Sequence, residues 1–174
     1  MAQGRTPSQT IGPFFHEALR WKDGGRVTFA EAGQAIVLAG RVLDGAGAPV
    51  TDAMVETWQL SPLGRTPAAA CGDAKPHGFG RVETGPDGRF RIETAMPGGE
   101  LPCIDVAFFA RGLLKPLRTR VYLAPLEKVR ADPVLKALSA SERVKTLVAE
   151  PTAAGEYRWD VRLQGEGETV FFAA

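Results

Sequence analysis

Residues 35–43 read AIVLAGRVL, and this stretch decides the fold class of the chain. The run is rich in aliphatic and β-branched residues, which favour strands over helices. Residues 44–49, which read DGAGAP, end it with a cluster of turn-forming residues. The pattern therefore predicts a β-strand over Ala35–Leu43, followed directly by a turn.

Further strands are predicted along the rest of the chain. Phe90 and Ile92 alternate with charged residues, as in a strand with one buried face. Ile104–Ala110 is nearly all apolar, which is typical of a strand covered on both faces. Trp58 and Trp159 are expected in the core. The other expected strands are Met54–Gln59, Leu117–Leu123, Tyr157–Leu163 and Thr169–Phe172. Seven or eight short strands with turns between them predict an all-β chain folded as an antiparallel β-sandwich.

One segment has a helical pattern instead. Asp132 and Pro133 have the form of a helix start, because proline is favoured at the first helical position. Ser139 and Glu142 have the spacing of a capping box, and apolar residues at helical spacing follow them. We expect one broken helix or two short helices over residues 133–149.

The N-terminal residues differ from the rest in composition. Residues 6–15 read TPSQTIGPFF, and their two prolines exclude a long helix. They are expected to form an extended arm. The chain is then one domain over residues 1–174, with the arm and its connection over 1–33 and the sandwich over 34–174.

Charge and composition exclude several classes of protein. The 21 Lys and Arg residues balance the 20 Asp and Glu residues, so the basic surplus of a nucleic-acid-binding domain is absent. No window has the roughly 18 apolar residues that a membrane span needs. Residues 1–10 lack an apolar signal-peptide core, and Cys71 and Cys103 are too few for a disulfide framework. These features predict a soluble, cytoplasmic protein with reduced thiols.

The residues alone show no obvious catalytic set. The two histidines, His16 and His77, are far apart in sequence, and no local metal-chelating motif occurs. Arg111 stands out because it follows an apolar strand and precedes a glycine. It is either a strand-end arginine that reaches solvent or a contact for an anion at the rim of a site.

Taken together, several of these segments resemble the intradiol ring-cleaving dioxygenases. The likeness covers nearly the whole chain, and the fold that it implies is the β-sandwich of that family. It rests on TPSQTIGPFF at residues 6–15, GRVLDG at 40–45, VETWQ at 55–59, FARG at 109–112 and QGEGETVFF at 164–172.

The resemblance also implies where iron ligands would stand. In the iron-bearing chains of the family, two tyrosines and two histidines hold a ferric ion. The corresponding positions here are Thr66, Glu100, Cys103 and Asp105, so all four ligand types differ. The last three could form a mixed set, but that set matches ferric iron poorly. The resemblance therefore implies a chain with no metal ligand and no catalytic residue of its own.

Within this family, the chain resembles the metal-free α chain of a two-chain enzyme. The resemblance implies that a homologous β chain holds the Fe(III), and that αβ pairs repeat in a larger assembly. The implied substrate is a dihydroxybenzoate, and the implied reaction is cleavage of its aromatic ring with O2. Thr10, Gly12 and Pro13 of the arm, together with Arg111, are the implied substrate-binding residues. The arm and the terminal segment Thr169–Phe172 are expected in the interface with the partner.

Two other functions compete with this one. The first is a single-component dioxygenase that acts on catechol or hydroxyquinol, which the missing ligands disfavour. The second is a non-enzymatic, prealbumin-like β-sandwich that works as a binding module. It leaves the motifs at residues 6–15 and 164–172 without an explanation.

Overall fold

The computed structural model describes residues 18–20, 22–67, 77–136 and 143–172. These residues form nine strands, two short α-helices and one 3₁₀ helix. In chain order they are β1 (Ala35–Leu43), β2 (Met54–Gln59), β3 (Phe79–Glu83), β4 (Arg89–Ala95), β5 (Cys103–Phe109), β6 (Leu117–Tyr122), α1 (Leu126–Val129), α2 (Pro133–Lys136), the 3₁₀ helix (Arg143–Leu147), β7 (Glu150–Ala153), β8 (Glu156–Arg158) and β9 (Val161–Arg162).

The first sheet is built around β1. Its strand order is β4-β1-β8-β7, and β9 pairs with the end of β1. β4 is antiparallel to β1, with Leu38 opposite Ile92. β8 and β9 run parallel to β1, while the other pairs of these strands are antiparallel. The predicted all-β sandwich is confirmed. The parallel pairing of β8 and β9 with β1 was not part of the prediction.

The strand expected over Tyr157–Leu163 is divided into β8 and β9 where the chain passes closest to Gly40 of β1. A Cβ atom on Gly40 would lie 1.7 Å from the carbonyl oxygen of Trp159, so only glycine admits this backbone. Next to it, the carboxylate of Asp160 accepts a hydrogen bond from the Arg41 backbone N–H at 3.0 Å. The Arg41 N–H therefore bonds to a side chain rather than to the neighbouring backbone, and the ladder is interrupted between β8 and β9, although both strands stay paired with β1.

The second sheet has the order β3-β2-β5-β6 and is antiparallel throughout. β3 is not among the predicted strands, because the sequence FGRVE contains a glycine and its apolar residues do not alternate. Gly80 is required by packing, since a Cβ atom there would lie 2.8 Å from Thr57 Oγ1.

The main core lies between the two sheets and contains Trp159, as expected. Its ring is 6.0 Å from that of Phe108 and 6.5 Å from that of Phe90, and its N–H donates to Thr146 O at 2.8 Å. The core prediction for Trp58 is wrong, because 51% of this residue is exposed. The other large members of this core include Ile36, Leu38, Val42, Val55, Ile92, Ile104, Val106 and Val121.

A smaller apolar cluster joins β6 to the short helices. It contains Tyr122, Val129, Leu135, Val144, Leu147 and Val170. The helical prediction is partly confirmed, because α2 begins at Pro133 and the later turn is a 3₁₀ helix. The expected capping-box residues lie outside the described residues. None of the described helices has the length and apolar character that crossing a bilayer requires.

β5 does not have the two covered faces that its apolar sequence predicts. Its burial alternates along the strand: Asp105 is exposed, and Ala107 and Phe109 are half-buried. The expected closing strand over Thr169–Phe172 is reduced to one bridge between Phe172 and Arg118. The second sheet thus keeps an open outer face within the described part of the chain.

Candidate functional site

The loops that carry two of the expected ligand positions lie against each other. Thr66 follows β2 and Glu100 precedes β5, and both are exposed. The Gly98 N–H donates to Ser61 O at 3.0 Å, and a Cβ atom on Gly98 would lie 2.3 Å from the Gly64 nitrogen. Glycine–glycine contact thus allows these two loops to pack together.

The other two positions are on the outer face of β5. Asp105 lies opposite Arg120 of β6, and the Arg120 Nε donates to its Oδ1 at 2.7 Å. Cys103 is a free, half-buried cysteine. Burial raises the pKa of the Cys103 thiol, so that it is protonated at neutral pH.

The Asp105–Arg120 pair extends into a short network of polar side chains. Tyr122 is fully buried, and its hydroxyl donates to Asp132 Oδ2 at 2.8 Å and also interacts with the Arg120 side chain. Burial, reinforced by the hydrogen bond to Asp132, raises the pKa of Tyr122 to about 12. The phenol is therefore neutral at physiological pH, and its proton is held by the Asp132 carboxylate.

These residues do not fit a ferric ion. The Asp105 carboxylate already has a guanidinium counterion, and a metal cation beside Arg120 would meet a like charge. The Cys103 thiol would first have to lose its proton, because thiolate is the form that binds metal. Tyr122 and Tyr157 lie in different sheets. Within the residues the structure describes, no group of three or more His, Cys, Asp or Glu side chains is placed to hold a metal.

Arg111 occupies the turn that follows β5. Its Nε makes an ion pair with Asp52 Oδ2, and Asp52 lies just before β2. Asp52 is largely covered, while 68% of the Arg111 side chain remains exposed. The expected companions Thr10, Gly12 and Pro13 lie outside the described residues, so the structure gives a position for Arg111 alone.

The structure adds a groove that the sequence interpretation missed. It lies on the outer face of the second sheet and has a volume of about 570 Å³. Its lining includes Glu56, Trp58, Asp105, Ala107, Phe109 and Arg118. The alternation of Asp105, Ala107 and Phe109 along β5 is the sequence signal that points to it, because residues two apart share one face of a strand.

Comparisons with known proteins agree with this architecture. A family profile described as dioxygenase matches residues 10–105. The protocatechuate 3,4-dioxygenase alpha chain of Burkholderia cepacia is 42% identical, over 97% of this chain and 96% of that one. The beta chain from the same organism is 28% identical, over 93% and 77%.

A solved structure supports the fold. The intradiol ring-cleavage dioxygenase from Tetranychus urticae superimposes with a TM-score of 0.60 at 15% identity, covering 92% of this chain and 94% of that one. Fold and sequence thus agree, and the closer sequence likeness is to the alpha chain rather than the beta chain. The chain therefore belongs to the intradiol ring-cleaving dioxygenase family.

Proposed function

We propose that this chain is the iron-free α chain of a protocatechuate 3,4-dioxygenase. With an iron-bearing β chain it would cleave protocatechuate between its two hydroxyl-bearing carbons. Both atoms of O2 enter the product, 3-carboxy-cis,cis-muconate, in the β-ketoadipate pathway of aromatic catabolism. The observation that carries the proposal is the Asp105–Arg120 ion pair, which puts a guanidinium beside one of the expected ligand positions of a dioxygenase fold.

The proposal divides the work between two homologous sandwiches. The β chain would hold the Fe(III) with its tyrosine and histidine ligands, and αβ pairs would repeat in a larger assembly. The likeness of this chain to both an alpha and a beta chain supports pairing between related sandwiches. We place the complex in the cytoplasm, which agrees with the free cysteine at position 103.

In this proposal Arg111 recruits the substrate. The carboxylate of protocatechuate would be attracted by a cation at the edge of the shared cleft. The ion pair with Asp52 holds the Nε side of the guanidinium, and the exposure of the rest leaves donors for a second carboxylate. Thr10, Gly12 and Pro13 of the arm would complete the boundary of the cleft.

Exposed apolar side chains support a partner interface. Leu63 and Leu114 are 63% and 65% exposed, and Leu60 is 38% exposed. Large aliphatic side chains of this kind become covered in permanent complexes. The terminal segment Thr169–Phe172 stays a candidate for the interface, although Val170 is buried in this chain's own smaller cluster and Phe171 packs on its main core. The N-terminal arm remains our other candidate for the interface.

Purification with and without a β chain tests the proposal. We expect the chain alone to be colourless, free of stoichiometric iron and inactive toward protocatechuate in an oxygen electrode. Coexpression with a His- and Tyr-bearing β chain should give a red-brown complex that consumes oxygen.

The same experiment separates the competing functions. Iron and ring cleavage in the unaccompanied chain would establish a single-component dioxygenase. A chain that never associates with a β chain and never affects its activity would instead favour the non-enzymatic binding module.

A further inference from the structure

We infer that the outer face of the first sheet binds a small dianionic oxyanion of the phosphate class. The site is a depression over Ala39, and the inference goes beyond the proposed function because it involves no iron, no partner chain and no residue of the second sheet. It rests on three observations: an excess of guanidinium groups around one cavity, two arginines placed directly opposite each other, and a rim of carboxylates that limits the size of the ligand.

Strand alternation places four arginines on this face. The even-numbered residues of β1 are buried in the core, so Ala39 and Arg41 lie on the outer face. In β4 the same alternation places Arg89 and Arg91 on that face, and the exposed Arg158 of β8 pairs in register with Ala39. Ala39 thus lies between Arg91 and Arg158 in one cross-strand row, and its methyl group forms the floor of a cavity of about 380 Å³.

The charged groups that line the cavity carry an excess of two positive charges. The four arginines face only two carboxylates, those of Glu156 and Asp160. The Asp160 carboxylate is shared, because its Oδ2 accepts from Nη2 of Arg158 at 2.7 Å and from Nη2 of Arg41 at 3.3 Å. One carboxylate cannot neutralise two guanidinium groups, so a bound dianion would balance the charge of the cavity.

Arg41 and Arg89 are directly opposite each other in the pairing of β1 with β4. The adjacent residues Val42 and Gly88 share a backbone hydrogen bond, so the two arginines form a non-hydrogen-bonded pair, the type in which side chains approach most closely. Like charges at such positions are unfavourable. An oxyanion between the two guanidinium groups replaces this repulsion with charge-assisted hydrogen bonds to both.

The shared carboxylates hold the arginine donors in place. Asp160 also accepts from the Arg41 backbone N–H at 3.0 Å, which fixes the carboxylate against β1. Glu93 is shared in the same way, at 3.4 Å from both Arg91 and Arg26. A guanidinium that is already oriented loses little conformational entropy when a ligand binds, and each has further N–H groups to donate.

Carboxylates at the rim limit the ligand to a small anion. The two arginines of β4 lie between Asp87 and Glu93, and Arg158 lies between Glu156 and Asp160, all at alternate positions along the chain. A long polyanion such as a nucleic acid would meet these carboxylates on leaving the cavity and be repelled. A compact tetrahedral dianion is held over the floor of the cavity without extending past them.

Calorimetric titration of the full-length chain with inorganic phosphate tests the inference. At low ionic strength we expect saturable binding to one site, which sulfate displaces more strongly than chloride does at equal ionic strength. Arg41→Gln and Arg89→Gln should each weaken phosphate binding roughly 10- to 100-fold, the usual loss for a charge-assisted hydrogen bond. The measurement needs no iron, oxygen or β chain, so its outcome is separate from that of the proposed function.

A stability measurement separates a binding role of Arg89 from a structural one. Without phosphate, Arg89→Gln should be at least as stable as the wild-type chain in urea denaturation, because it removes one member of a like-charge pair. Its ion pair with Asp87 is exposed on both sides and contributes little. Saturating phosphate should stabilise the wild-type chain more than this variant.

Matched variants locate the site. Ala39→Leu fills the cavity without removing a charge and should abolish phosphate binding. Arg130→Gln removes an exposed arginine directly after α1 and should leave the dissociation constant unchanged. Arg89→Lys keeps the charge but loses the planar set of donors, so it should retain part of the affinity. Circular dichroism confirms that each variant is folded.

A second ligand identifies the source of the oxyanion. Glycerol 3-phosphate carries the same dianionic group on a small neutral alcohol. If it binds more tightly than inorganic phosphate, the natural ligand is a phosphomonoester; if it binds more weakly, the ligand is free phosphate.

Two results would overturn the inference. The first is the absence of saturable phosphate binding by the wild-type chain, or binding that Arg41→Gln and Arg89→Gln leave intact. The second is an oligonucleotide that binds more tightly than phosphate and depends on the same two arginines, which would make this face a nucleic-acid surface.

Discussion

The Nε atom of Arg120 lies 2.7 Å from Oδ1 of Asp105, across one strand pair of the second sheet. The pair places a fixed positive charge beside a position where iron-bearing relatives are expected to have a ligand. Burial alone would lower the pKa of Arg120, but its bond to Asp105 outweighs that effect and raises the pKa above the ordinary arginine value. The guanidinium therefore stays charged at every physiological pH.

This pair predicts that histidines alone will not create a metal site. In Cys103→His/Asp105→His, two imidazoles would lie on one face of β5, but Arg120 would still repel a divalent cation. Adding Arg120→Ser should raise Ni2+ affinity by roughly tenfold or more, since a neighbouring like charge disfavours the bound ion. Calorimetric titration of both variants measures the difference. Equal affinities would show that the guanidinium does not oppose the metal.

Gly40 should tolerate no side chain. In Gly40→Ala the new methyl group would meet the Trp159 carbonyl oxygen, because a Cβ atom at this position would be only 1.7 Å from it. We expect the free energy of unfolding to fall by about 2 kcal/mol or more in urea denaturation. Gly85→Ala is the matched control, since its Cβ atom would lie 3.4 Å from the nearest atom, a carboxylate oxygen of Asp87. A control that loses as much stability would contradict this explanation.

Tyr122 predicts a loss of stability at alkaline pH. Its pKa of about 12 in the folded chain lies above the ordinary value of 10, so the folded state retains a proton that the unfolded state releases. This contribution is complete below about pH 10 and disappears as the pH rises toward 12. The free energy of unfolding should fall by roughly 2 kcal/mol over that range relative to Tyr122→Phe. Parallel curves for the two proteins would contradict the prediction.

Arg111 should affect substrate binding more than the chemical step. In the αβ complex, Arg111→Ala should raise KM for protocatechuate by roughly tenfold with little change in kcat, as expected when an interaction common to bound and reacting substrate is lost. Arg130→Ala, at an exposed position directly after α1, provides the control. Unchanged steady-state constants in Arg111→Ala would remove this residue from the site.

The exposed leucines should act on assembly without affecting folding. Leu63→Asp and Leu114→Asp replace side chains that are more than half exposed, so the free energy of unfolding should change by less than about 0.5 kcal/mol. If the partner covers them, each variant should weaken αβ association in sedimentation velocity. Leu147→Asp, at a fully buried position, should instead unfold the chain.

The sequence predicts strands best where apolar and polar residues alternate. The bounds of β1 and β2 agree with the prediction. The sequence does not predict which face of β2 is buried, because the polar residue Gln59 is buried while Trp58 is exposed. The Gln59 amide donates to Ala95 O at 2.8 Å, and its oxygen accepts from the Thr94 hydroxyl at 2.8 Å. Those partners come from another strand, and no local pattern reveals them.

The candidate site was predictable only in part, for the same reason. Family resemblance marks position 105 as one where the iron-bearing chains have a metal ligand and this chain has an aspartate. It does not identify Arg120 as the neighbour of Asp105. That relationship depends on the register of β5 against β6, and the groove around Ala107 depends on two registers at once. Short runs of sequence show which residues share a face but not which residues lie opposite them.

The pairing of β1 with β8 and β9 has a consequence for synthesis of the chain. Residues 35–43 leave the ribosome more than one hundred residues before their partners at 156–162. Until then one edge of β1 has no neighbour, and an open apolar strand of this kind is prone to intermolecular pairing. Premature termination before residue 156 should therefore leave this edge of β1 open to pairing with other chains and yield aggregating fragments rather than a smaller folded domain.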